Sequence, residues 1–150
     1  ALLSQLPIAA RASAQSREAQ FGVRALVLAD CTVNVQDLVF GVYNPESNQT
    51  GNTVINVRCT PGSAAAVSLS AGVSGNPRDR HMSGPGFLHY QLYRDIARQD
   101  PIDTTGVEFL IAGLANFGQP FLFPVYGEIP SGQSVPAGNY ADVIRVTVQF

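Results

Sequence analysis

Residues 142–150 read Asp-Val-Ile-Arg-Val-Thr-Val-Gln-Phe, an alternation that puts Ile144, Val146, Val148 and Phe150 on one face of a strand. Strand side chains alternate with a period of two, and a strand without a neighbour leaves its amides and carbonyls open to pairing with another chain. The pattern is read as a strand that no later strand of the domain covers. Edges are ordinarily blunted by lysine, proline or a bulge, yet the chain has no lysine and Arg145 falls on the face opposite the apolar set. The pattern predicts an edge kept available for a partner strand.

Near the other end, Phe21, Val23, Ala25 and Val27 alternate with Gln20, Gly22 and Arg24, a second strand pattern that could supply what the first lacks. Strand addition draws affinity from backbone hydrogen bonds and specificity from alternate side chains. Burying four such side chains is worth roughly 5 to 10 kcal/mol, comparable to the ~5 to 15 kcal/mol that keeps a whole domain folded.

A length of 150 residues suits one domain. Only 13% of residues are charged, against 45% hydrophobic, 14 Gly and 10 Pro, a balance typical of a turn-rich β protein. The net charge of -2 comes from basic and acidic residues scattered along the chain. No basic stripe for nucleic acid and no polybasic membrane anchor follow from that distribution.

Residues 1–14 carry Leu2, Leu3, Leu6 and Ile8 before Ala12-Ser13-Ala14, and are read as the remnant of a secretory signal with a small-residue cleavage site. The alternative is a leader retained in the mature protein. No apolar run reaches the length of a membrane span. Cys31 and Cys59, the two cysteines, fit one disulfide in an exported protein, with two separate buried thiols as the other possibility.

Along the chain, strand patterns are expected at residues 21–28, 31–35, 38–43, 53–59, 66–69, 87–93 and 108–112. Residues 119–129 are read as a proline-tolerant edge strand, and residues 139–150 close the chain. Residues 44–51, 72–86 and 130–138 are rich in Gly, Pro and polar side chains and are read as connections, the last as a hairpin. One helical turn is conceivable at Asp95 before Pro101 ends it. Many short strands with no long helical pattern argue for an antiparallel β-sandwich.

Chemistry-bearing patterns are sparse. His81 and His89, the only histidines, have no second histidine or cysteine at ligand spacing, and no metal site or cofactor is expected. Serines near glycine lack the Gly-x-Ser-x-Gly elbow. A phosphate loop is excluded by the lack of lysine. Asp100, Asp103 and Glu108 read as solvated loop carboxylates, and Phe87, Tyr90 and Tyr93 as strand residues rather than a sugar platform. No catalytic residue is assigned.

Several blocks carry a family resemblance: Val27-Leu-Ala-Asp-Cys-Thr-Val, Leu38-Val-Phe-Gly-Val-Tyr-Asn-Pro45, Leu88-His-Tyr-Gln-Leu-Tyr-Arg-Asp95, and Val125-Tyr-Gly-Glu-Ile-Pro running on to Gly138-Asn-Tyr-Ala-Asp142. Together they resemble the spore coat protein U domain, also the subunit of archaic chaperone-usher pili, from about residue 20 to residue 150. A Trp-Gly pair common in that family is replaced here by Asp100-Pro-Ile-Asp.

The resemblance implies an all-β, incomplete immunoglobulin-like antiparallel β-sandwich lacking its last strand. It implies a periplasmic chaperone that lends a strand, an outer-membrane usher, and neighbouring copies that exchange it for their amino-terminal segment. On this reading residues 1–14 are a leader, 15–29 the donor segment and 30–150 the pilin domain. Phe21, Val23, Ala25 and Val27 map onto the donor, Ile144, Val146, Val148 and Phe150 onto the acceptor edge, and Cys31 with Cys59 onto the family disulfide. The expected product is a non-enzymatic fibre subunit, exported through the periplasm to the cell surface for adhesion or biofilm formation. The rivals are a surface-binding adhesin module, with contact loops in residues 72–86 or near Phe117, and a self-contained secreted or spore coat sandwich whose residues 21–28 fold back beside 143–150.

Overall fold

The computed structural model describes residues 14–111 and 119–150. The leader at residues 1–13, the end of the strand expected at 108–112 and the loop around Phe117 lie outside the described residues. The described residues form no helix; they form strands β1 (Cys31–Val35), β2 (Gln49–Cys59), β3 (Ala65–Leu69), β4 (Arg80–Ser83), β5 (Phe87–Tyr93), β6 (Val107–Ile111), β7 (Phe121–Ile129) and β8 (Val146–Gln149).

All pairings are antiparallel. One sheet has five strands in the order β1-β2-β7-β5-β4 and the other three in the order β6-β3-β8. Their inward faces share one core, built by alternation: Ile55, Val57 and Cys59 from β2, Val67 and Leu69 from β3, Leu88 and Leu92 from β5, Val125 and Ile129 from β7, and Ile111 from β6. This is the all-β antiparallel sandwich anticipated from the sequence.

Several expectations about local structure are corrected. Residues 38–43 form no strand. Instead Leu38 and Phe40 dip into the sandwich over Gly51 and Gly127, which oppose each other across the β2–β7 ladder. Two facing glycines leave a hollow that a side chain from elsewhere can fill, and a Cβ on Gly127 would sit 2.7 Å from Phe40 Cζ.

β7 is central rather than an edge. Its proline is accommodated because β5 pairs only with Tyr126, Gly127 and Glu128, so the β5 side of the ladder is already vacant at Pro124. The connection of residues 130–145 is not a hairpin, since it carries the chain from the first sheet to the second. β4 emerges inside the expected polar connection of residues 72–86, with Arg80 turned into the core. At Asp95 there is a turn, its carboxylate accepting hydrogen bonds from the Gln99 and Asp100 amides at 3.0 and 2.9 Å.

The cysteines form a disulfide, Cys31–Cys59, between residues directly opposed at one end of the β1–β2 ladder, with a Cα–Cα distance of 4.0 Å. Residues 14–30 have no regular secondary structure. The strand pattern at 21–28 therefore stands without a ladder partner among the described residues, and Phe21 and Leu28 are 88% and 72% exposed.

Candidate functional site

The candidate site is the flank of the sandwich where β1 and β8 approach each other. Directly opposed residues of an antiparallel pair project to the same face. Val33 pairs with Val57 and Val35 with Ile55, so both β1 valines face inward with two residues that are almost fully buried. Val33 and Val35 nevertheless remain 41% and 40% exposed. The second sheet stops short of covering β1.

Among the described residues that sheet ends at β8, which pairs with β3 alone. Val146 opposes Leu69 and Val148 opposes Val67, which fixes both valines on the inward face. Ile144, Val146 and Val148 are only half-buried, and Phe150 is 59% exposed. Ile144, Val146 and Val148 pack against the core along β8 and the residues leading into it, the regular strand being Val146–Gln149, whereas Phe150 lies beside Ala64, Ala65, Ala66, Leu110 and Ile111. Partly exposed apolar side chains of β1 and β8 thus lie beside a strand edge that has no partner among the described residues, the kind of surface, or slot, that strand addition uses.

Asp142 sets where that edge begins. Its carboxylate accepts hydrogen bonds from the Tyr90 hydroxyl at 2.6 Å and from the Val73 and Val143 amides, each at 2.8 Å. Just before it, Ala141 exchanges backbone hydrogen bonds with Ser83 at 2.9 and 3.0 Å. Gly84 is a close-approach position here, because a Cβ would lie 2.3 Å from the Asn139 carbonyl oxygen. The Gly-Asn-Tyr-Ala-Asp block singled out in the sequence is thus a clamp that launches β8 from the core.

Behind the clamp, Arg80 is fully buried. Its guanidinium donates to the Ser70 carbonyl, to Gln91 Oε1 at 3.2 Å and to the Ile102 carbonyl at 3.2 Å. Burial lowers its pKa, opposed by the nearby carboxylates of Asp142 and Glu108. Burial also raises the Tyr90 hydroxyl pKa, and the hydrogen bond to Asp142 adds to the shift. Glu108, buried beside Arg94 at 3.3 Å, is pushed up by desolvation and pulled down by that guanidinium. No signal of composition or spacing separates this polar core from the loop charges in which it is embedded.

Phe21, Val23 and Val27 lie on the exposed extension, away from the slot, as does Ala25. The extension is anchored where it enters β1: the Asp30 amide donates to Thr60 Oγ1 at 3.1 Å, and the Thr60 amide to the Asp30 carbonyl at 2.8 Å. Among the described residues no cluster of three or more metal-type side chains is assembled, and no helix is long and apolar enough to cross a membrane.

Comparisons with known proteins agree with this architecture. The chain is 32% identical to Protein U of Myxococcus xanthus over 132 residues, an alignment covering 75% of this chain and 71% of that protein. Its fold is similar to a chain in the crystal structure of the CsuC-CsuE chaperone-tip adhesion subunit pre-assembly complex from archaic chaperone-usher Csu pili of Acinetobacter baumannii. The TM-score there is 0.64 at 26% identity, with 83% of this chain and 40% of that chain covered, so the present chain spans less than half of the solved one. The family model described as Spore Coat Protein U domain matches residues 17–147, and with that match the chain belongs to the spore coat protein U domain family.

Proposed function

We propose that this protein is a structural, non-catalytic subunit of a chaperone-usher surface fibre, assembled by donor-strand exchange. One observation supports the reading: the inward valines of β1 and β8 stay partly exposed, and the same chain bears an exposed apolar segment with strand alternation. Phe21, Val23, Ala25 and Val27 are the donor side chains, and Ile144, Val146, Val148 and Phe150 line the accepting edge. A periplasmic chaperone holds the slot before assembly, and an outer-membrane usher directs the exchange to the next copy.

Two further features fit exchange between copies. The Asp30–Thr60 hydrogen bonds continue the line of β1 by one residue, so the segment before it leaves the sandwich from a fixed point. The disulfide also fits passage through an oxidising compartment. The likeness to a structure that contains a tip adhesion subunit supports a second reading, a surface-binding adhesin module, in which the same slot joins it to a fibre.

Co-expression with a cognate chaperone and usher tests the proposal. The full chain is expected to give a ladder of heat-sensitive oligomers, and deletion of residues 15–28 to give a chaperone-bound monomer that never enters fibres. Normal fibres from the deletion would refute the donor assignment, and a stable lone monomer of the full chain would refute the open slot.

A further inference from the structure

His81 and His89 are separated in sequence by the β4–β5 turn, and the ladder sets them directly opposite each other. The His89 amide donates to Gln133 Oε1 at 2.7 Å, and its carbonyl accepts from Gln133 Nε2 at 2.8 Å. Both backbone groups of His89 therefore point away from β4, which makes His81–His89 a non-hydrogen-bonded pair. In such pairs the Cα atoms are about 4.5 Å apart and the side chains closest. Both rings stand on the outward face, since Arg80, Leu88 and Tyr90 on the alternate positions are buried.

We propose that His81 and His89 form a two-imidazole site for a late first-row divalent ion, with water completing its coordination. The ring centroids are 5.7 Å apart with planes at 70°. Two imidazoles sharing a tetrahedral ion at a metal–nitrogen distance of about 2.1 Å have centroids roughly 5.2 Å apart, close to the separation of this pair.

The surroundings orient both rings. Asp79 Oδ1 lies 2.9 Å from His89 Nδ1. A carboxylate only accepts, so Nδ1 carries the proton and Nε2 keeps its lone pair for a metal, the arrangement of a carboxylate–histidine–metal relay. His81 packs against the Phe87 ring at a centroid distance of 4.5 Å, and the His89 and Asp79 side chains are 51% and 64% exposed, leaving the pair accessible to an ion from solution. Imidazole ligands favour copper, nickel and zinc, with copper(II) tightest in the divalent series.

Titration of the full, untagged chain in its chaperone-bound form with copper(II) or zinc(II), followed by calorimetry and histidine NMR and compared with the chaperone alone, tests the site. Expected is saturable binding of one ion per chain, copper tighter than zinc, with His81 and His89 ring signals shifting together. His81→Asn or His89→Asn should abolish saturable binding while the circular dichroism spectrum stays unchanged. Asp79→Asn should weaken it about tenfold and change the His89 tautomer seen in long-range nitrogen–proton spectra. Absence of saturable binding, or binding that survives both histidine substitutions, overturns the proposal; an Asp79→Asn variant with unaltered affinity and tautomer overturns the positioning role.

Discussion

The Tyr90 hydroxyl donates to Asp142 at 2.6 Å, joining the middle of β5 to the residue from which the chain departs for β8. The same carboxylate holds the Val73 and Val143 amides. One side chain thus gathers three donors at the entrance of the open edge.

Tyr90→Phe is expected to destabilise the domain by about 1 to 3 kcal/mol, the usual penalty for leaving a buried polar group without its partner. Burial raises the Tyr90 pKa above its ordinary value near 10. The folded state therefore holds that proton more tightly than the unfolded chain. Its contribution is complete below about pH 10 and is lost as pH rises from there towards the folded pKa. Urea midpoints measured from pH 8 to 11 should fall above pH 10 in the parent and fall less in Tyr90→Phe.

Gly127→Ala forces a Cβ against Phe40 in a hollow that has no room for it. Overpacking of this kind costs about 1 to 3 kcal/mol. Phe40→Leu in the same chain should recover part of the loss, and a double-mutant cycle by thermal unfolding would show the coupling. Strictly additive effects would mean that the two residues do not compete for the space.

Reduction of Cys31–Cys59, or replacement of both cysteines by serine, reopens a loop with a sequence separation of 28 residues. The chain-entropy relation gives a loss of about 3.5 kcal/mol. Denaturant midpoints with and without reductant measure it, and the double serine variant should no longer respond to reductant.

Val33→Asp and Val146→Asp place a charge in the slot at positions that are already partly solvated. Either should abolish fibre formation and chaperone capture, while a comparable change at fully buried Val57 should prevent folding. Sizing by gel filtration separates the cases. Assembly of Val146→Asp at parental levels would remove β8 from the contact.

Alternation made much of this fold legible before any coordinates. Cys31–Val35, Ala65–Leu69 and Phe87–Tyr93 lie where their alternation places them; the last two bury one face in the shared core, and β1 turns its valines to the same side without their being covered. The same reasoning misread residues 38–43, whose inward Leu38 and Phe40 are seated by two distant glycines rather than by a neighbouring strand. β4 was hidden because Arg80 looks like a loop charge, and its burial is made tolerable by distant acceptors, the Ser70 and Ile102 carbonyls and Gln91 Oε1. Pro124 suggested an edge because a sequence shows where a ladder lacks a donor, not how far the neighbouring strand extends. Of the slot, β8 was readable and the β1 wall was not: Val33 and Val35 look like ordinary inward residues until the short opposing sheet leaves them uncovered.

The link between Cys31 and Cys59 has a mechanical consequence. Tension applied to the chain before Asp30 meets Cys31 first and passes through sulfur into Cys59, at the end of a strand flanked on both sides. β1 cannot be unzipped from that end one rung at a time; the load is spread over β2 and its two neighbours, where many hydrogen bonds must shear together.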